Sequence, residues 1–89
     1  MRAVITVIGK DKVGILAKVS EKCAKYNANV TDVTQSILQD IFVMIMFVDI
    51  TDLKIQLKDL SKTLEELGDD MNLKIHVMHE DIFKAIHRI

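Results

Sequence analysis

Proline is absent from this chain of 89 residues, and cysteine occurs once, as Cys23. A single cysteine excludes an internal disulfide and is typical of a protein kept in a reducing cytoplasm. Cys23 falls among apolar residues at helical spacing, so we interpret it as a small core residue rather than a nucleophile. Aromatic residues make up only 4% of the chain, and the formal net charge is −1. Such a balance lacks the basic footprint by which proteins hold nucleic acid, so we expect no nucleic-acid partner.

Long hydrophobic runs are also missing. The longest apolar stretch, residues 41–48, is far shorter than the roughly 20 residues that a membrane-spanning helix needs. Strand-forming residues begin at Arg2, where a secretory signal would carry a basic segment followed by an apolar one. We therefore expect a cytoplasmic protein with no membrane segment. Hydrophobic residues make up 49% of the chain and charged residues 28%, which is typical of one globular domain.

The first half of the chain predicts a strand, a helix and a second strand. Residues 2–8 are apolar on both faces, which favours a central position in a sheet. A helix follows Gly14, and residues 26–29 end it, since asparagine tolerates the left-handed conformation of a helix C-cap. Residues 30–39 mix polar and β-prone side chains, as edge strands do. The helix is predicted to face the sheet through Leu16, Val19, Cys23 and Tyr26, with Ile15 beside them.

The second half predicts a strand, a helix and a strand. A tight turn at residues 39–40 leads into residues 41–48, which are again apolar on both faces. Thr51 or Asp52 is the expected cap of the second helix. Gly68 is its expected end, with continuation toward Asp70 as the alternative. Residues 72–79 form the last strand, with one apolar face. The second helix is predicted to pack through Leu53, Leu57, Leu60, Leu64 and Leu67.

This order, βαββαβ, predicts an α+β fold of the ferredoxin-like type, with one antiparallel sheet and both helices on one face. Right-handed crossovers place the first and third strands at the centre. Residues 1–79 would form this domain, and residues 80–89 a C-terminal helical extension of it. The extension has one apolar stripe and is too short to be stable alone, so it must dock on the sheet or on a neighbouring subunit. The stripe comprises Ile82, Phe83, Ile86 and Ile89.

The second sheet face predicts self-association. Two helices cover only one side of the sheet, so Val4, Ile8 and half of the third strand would face water on the other side. An apolar patch of this size is larger than soluble monomers usually expose. We therefore expect a homo-oligomer, most simply a dimer.

Proteins of this fold have several other functions, and this sequence lacks the residues that those functions need. Phe42 and Phe47 lie on opposite faces of one strand, so they offer no stacking surface for RNA. The first loop has neither the cysteine pair of a metal chaperone nor the arginine of an acylphosphatase. His76 and His79 lie on opposite strand faces, and His87 lies in the tail. We therefore expect no catalytic residue, metal site or cofactor, and do not expect an enzyme.

The loop at residues 9–16 is the strongest candidate for a site. Gly14 stands where the first helix begins, so backbone N–H groups of the first turn are free to bind a carboxylate or phosphate. From spacing alone, a plain strand-to-helix turn explains the same residues. The stretch at residues 11–17, followed by Asn29 and Val30, resembles the ACT domain, a family of amino-acid-sensing modules with this fold. Residues 33–40 and 79–83 resemble the short stand-alone ACT proteins related to the glycine cleavage system transcriptional repressor.

The resemblance implies a ligand site between two copies of the chain, with Asp11 and Asn29 holding the ligand. Gly14 and Ile15 would supply backbone donors, and Asp11 would accept from an α-ammonium group. Val13 stands where the family usually has proline, which makes the loop less rigid. The implied ligand-binding residues are Asp11, Lys12, Val13, Gly14, Ile15 and Asn29.

Two functions remain open. The first is a regulatory module that senses a small molecule, most simply an amino acid. The second is an interaction or oligomerisation module that binds no ligand. Either would act in trans on a separate protein partner, an enzyme or a regulator, which the sequence does not identify.

Overall fold

The computed structural model describes residues 1–86 and confirms the predicted βαββαβ order, followed by a short helix. The four strands form one antiparallel sheet in the order β2-β3-β1-β4, so the first and third strands are central, as predicted. The elements are β1 Arg2–Lys10, α1 Ile15–Lys25, β2 Asn29–Leu38, β3 Ile41–Asp49, α2 Leu57–Met71, β4 Leu73–His79 and α3 Glu80–Ile86. Within the described residues, none of the helices has the length and apolar character needed to cross a membrane.

The main core lies between the sheet and helices α1 and α2. Alternate residues of β1 and β3, such as Ile5, Met44 and Met46, are fully buried on this side. Leu60 and Leu64 of α2 are also fully buried, and both belong to the predicted leucine stripe. Cys23 lies in the same core, and burial raises the pKa of its thiol to about 11. A neutral, inaccessible thiol is a packing residue, as the sequence indicates.

The buried stripe of α1 differs from the prediction by one position. Ile15, Val19 and Cys23 are buried, whereas Leu16 is 39% exposed. The three buried residues repeat every four positions, so they follow one side of the helix from its first residue. The sequence alone gave no reason to prefer Ile15 over Leu16. The predicted end was correct, because Tyr26 is the C-cap and Asn27 has a φ of 65°.

The predicted start of α2 was wrong, and its end agrees with the alternative, continuation toward Asp70, rather than with Gly68. The helix begins at Leu57 rather than near Thr51, because Thr51 donates its backbone N–H and its hydroxyl to Asp49 Oδ1 and forms a turn there. Leu53 therefore lies before the helix, where it packs against the core without belonging to the helical stripe. The helix continues past Gly68 to Met71. Asn72 ends it with a φ of 57°.

The second face of the sheet is partly covered by α3, which corrects the expectation that Val4 faces water. Val4 is fully buried, and its neighbours across the sheet are Phe47 and Met78. Phe83 of α3 meets Phe47 edge-on, with ring centroids 6.0 Å apart. Ile8, at the far end of β1, is 50% exposed, as predicted. Helix α3 thus covers one end of this face and leaves the other end open.

Candidate ligand site

The loop after β1 is held against the turn between β2 and β3. The backbone N–H of Asp11 donates to the carbonyl oxygen of Asp40 over 2.8 Å. Asp11, Lys12 and Val13 are all exposed, and the Val13 side chain is exposed completely. The loop therefore has a fixed base and presents its side chains to a ligand or to a second molecule.

Gly14 begins α1 as its N-cap residue, with φ 92° and ψ 6°. This left-handed conformation suits glycine, which has no Cβ. Within residues 1–86 no side chain caps this end of the helix, and its first turn carries no acidic residue. Free N–H groups and the partial positive charge of the helix end are complementary to an anion such as a carboxylate.

Lys12 has a structural partner elsewhere. Its ammonium group donates to the carbonyl oxygen of Met71, the last residue of α2. A cation at this position satisfies an orphan carbonyl and offsets the negative end of the helix dipole. Lys12 thus fastens the loop to α2, a role that the sequence did not indicate.

Asn29 lies at the other end of the sheet. It begins β2 opposite Asp49 of β3, whereas Lys10, just before Asp11, is opposite Ile41. The ten residues of β2 span about 30 Å between these two ends. One chain therefore does not bring Asp11 and Asn29 together, and a site that contains both requires two chains.

A cavity of about 390 Å³ adjoins Asn29, between α1 and the start of β2. Sequence reasoning named Val30 beside Asn29 but did not predict that the other residues around this cavity form a site. The asparagine at position 27 is one of them, and its side-chain amide donates to the carbonyl oxygen of Asp52 over 2.9 Å. Small residues four positions apart on α1, at 20 and 24, are the signal that could have marked this surface. The lining residues are Ser20, Ala24, Asn27, Ala28, Asn29 and Val30.

Replacing Gly14 by valine is expected to destabilise the protein by about 1–2 kcal/mol, the cost of a left-handed backbone for a residue with a Cβ. No atom lies within 4 Å of a Cβ placed at this position, so the cost comes from the backbone and not from a clash. Asparagine tolerates this conformation better, which makes Gly14→Asn the matched control. Denaturant unfolding measures both variants, and equal stability of the valine and asparagine proteins would contradict the argument.

The fold and loop together define a small ferredoxin-like module with an anion-compatible helix end beside an exposed sheet edge. The family model of the ACT domain matches residues 2–78. The chain belongs to the ACT domain family, as its loop and second strand indicated.

One relative by sequence and one solved structure are similar to this chain over nearly their whole lengths. A UPF0237 protein of Methanocaldococcus jannaschii is 46% identical over 88 residues, which cover 99% of this chain and 98% of the relative. The structure of an ACT domain protein from Streptococcus pneumoniae matches with a TM-score of 0.81 and 39% identity, covering 94% of each chain. A protein assigned as a glycine cleavage system transcriptional repressor matches with a TM-score of 0.72 and 22% identity. That match covers 85% of this chain and 43% of the repressor and shows a shared fold.

Proposed function

We propose that this protein is a cytoplasmic regulatory module that binds an amino acid between two copies of itself and acts in trans on an enzyme or regulator. Residues 1–79 would carry the module, and residues 80–89 would extend the same domain. One observation carries the proposal: β2 is an exposed edge strand with one half of the site at each end. Every residue from Thr31 to Asp40 is exposed.

An edge strand presents unpaired backbone groups and is a template for pairing with another chain. A two-fold axis through the middle of β2 would pair the strands of two copies antiparallel. Asn29 of one copy would then lie opposite Leu38 of the other, next to the turn that holds Asp11. Each pair of copies would contain two equivalent sites, and each site would take Asp11 from one copy and Asn29 from the other.

The groups that meet at such a site match the two charged ends of an amino acid. The backbone N–H groups at Gly14 and Ile15 would bind the carboxylate at the helix end. Asp11 would accept from the ammonium group, and the amide of Asn29 offers both a donor and an acceptor. Val13 would face the ligand or the second copy from the tip of the loop. Lys12 would hold the loop in place through α2.

A thermal-shift screen against the twenty amino acids tests the proposal. A ligand that binds only the native state must raise the melting temperature, by an amount that grows with its concentration. We expect one amino acid, or a few related ones, to do so for the wild type, and Asp11→Ala and Asn29→Ala to abolish the shift. Asp52→Ala changes an exposed acid outside the site and serves as the control. The absence of any shift at millimolar concentration would contradict amino-acid sensing.

The ligand-free interaction module is the second candidate. It is favoured by the apolar residues on the exposed edge strand, since Ile37 is 53% exposed and Leu38 is 68% exposed. Isolated surface apolar residues are common, but two adjacent ones beside an open strand edge favour contact with another chain. Association of the chain without any amino-acid shift would support this second function.

A further inference from the structure

The sheet face opposite α1 and α2 has a covered end and an open end. At the covered end, α3 lies over Val4 and Phe47. At the open end, Ile8 is 50% exposed and Ile41 is 44% exposed, and Val43 between them is half-buried. These three residues lie side by side on neighbouring strands, because Ile8 pairs with Val43 and Lys10 pairs with Ile41.

The open end has room for one further helix. Strand β1 has nine residues and is about 30 Å long. A helix with its side chains is roughly 10 Å wide, so α3 occupies only part of that length. The remainder of the face combines the apolar residues Ile8, Ile41 and Val43 with Lys10 and Lys74 at its margins, and it has the width that a second helix would fill.

Helix α3 also has an exposed apolar stripe. Phe83 faces the sheet, and Glu80 is bound to Arg2, the first residue of β1. Ile82 and Ile86 are 55% and 63% exposed, and Ala85 is exposed as well. The spacing of these three residues, i, i+3 and i+4, places them on one side of the helix.

We propose that two copies pack face to face, each laying its α3 on the open end of the other copy's sheet. The two-fold axis would run across the strands, which exchanges the covered and open ends while keeping β4 of one copy over β4 of the other. The stripe of Ile82, Ala85 and Ile86 would then bury against Ile8 and Val43 of the second copy. This contact is self-complementary, as a two-fold interface requires, and it is separate from the edge pairing proposed above.

Charge complementarity supports this arrangement. The Asp81 side chain is 86% exposed at the start of α3, next to β4. Lys74 is exposed on β4 at the open end, where it pairs with Ile8. Since the axis places β4 over β4, Asp81 of each copy would approach Lys74 of the other. The same pair forms twice in the dimer and favours this register over a shifted one.

Light scattering on the purified full chain and its variants tests the interface. Ile8→Glu and Ile86→Glu place a charge at its two sides, and each is expected to halve the mass in solution. Lys74→Glu and Asp81→Lys should each weaken the association, and the double variant should restore it because the pair is reversed. Lys54→Glu is the matched control, since Lys54 is an exposed lysine outside this face, and it should keep the wild-type mass.

Circular dichroism verifies that each variant is folded. Because the substitutions are at two separate positions, the test remains informative if one variant does not fold. A wild-type mass in solution of 10.1 kDa, the mass of a single chain, at micromolar concentration would overturn the proposal. So would unchanged mass in both glutamate variants, or a double charge reversal no better than either single change. Restored mass in the double variant would identify the partner as a second copy in this orientation.

Discussion

Mixing two variants that each fail to bind, Asp11→Ala and Asn29→Ala, is expected to restore amino-acid binding. Within one chain Asn29 begins β2 and Asp11 is bonded to the turn after β2, and the strand between them is about 30 Å long. Each site would therefore draw the two residues from different copies. A mixed pair then has one site with both substitutions and one site with neither. The intact site should bind with wild-type affinity.

The measurement is calorimetric titration after the two variants are unfolded and refolded together. Pairs formed at random are half mixed, and each mixed pair has one of its two sites intact, so the stoichiometry should reach about a quarter of the wild-type value. Each variant refolded alone should bind nothing.

A reciprocal control distinguishes a shared site from a site within one chain. The double variant Asp11→Ala/Asn29→Ala is refolded with the wild type. Every site in such a mixed pair lacks one of the two residues, so the mixed pairs should bind nothing. If mixed pairs keep half of their sites, the ligand lies within one chain and the shared site is wrong.

The pattern of apolar residues was sufficient to predict the fold, because the central strands and the edge strands differ in how their apolar residues are distributed. Both central strands are apolar on two faces because both faces are covered. Helices α1 and α2 cover one face of β1, and α3 covers the other face at Val4. The start of α2 was not predictable in this way. Leu53 continues the leucine spacing, but the hydrogen bonds from Thr51 to Asp49 hold the chain in a turn there. Local turn chemistry thus overrode a periodic pattern.

The candidate site was only partly accessible from sequence. The position of Gly14 at the start of α1 followed from its place between a strand and a helix. The pairing of Asp11 with Asn29 came from family resemblance, and only the sheet register shows that one chain keeps them apart. The bond from Lys12 to Met71 joins residues 59 positions apart, and no local pattern encodes such a contact.

Deleting residues 82–89 is expected to destabilise the fold by a few kcal/mol. The deletion removes Phe83 from Phe47 and uncovers Val4, which is fully buried in the whole chain. Exposing one such side chain costs about 1.5–3 kcal/mol. Denaturant unfolding of the whole and shortened chains measures the difference, and Phe83→Ala should reproduce part of it. Equal stability would show that α3 contributes nothing to the fold.

Acid should weaken the attachment of α3, because Glu80 fastens the start of this helix. Arg2 donates to both carboxylate oxygens of Glu80, over 2.6 and 3.1 Å, and Lys84 lies 2.8 Å away. Hydrogen bonds from Arg2 and then Lys84 lower the pKa of Glu80 from 4.5 to about 2. A carboxylate whose pKa is lowered by folding stabilises the native state above pH 4.5, and this contribution is lost as the pH falls to about 2.

The whole chain should therefore lose stability across this pH range relative to Glu80→Gln, which has no carboxylate to protonate at that position. Glu66→Gln removes an exposed carboxylate from α2 and is the matched control. Its stability should follow that of the wild type at every pH. Parallel curves for the wild type and Glu80→Gln would show that the Arg2 pair does not hold α3 on the sheet.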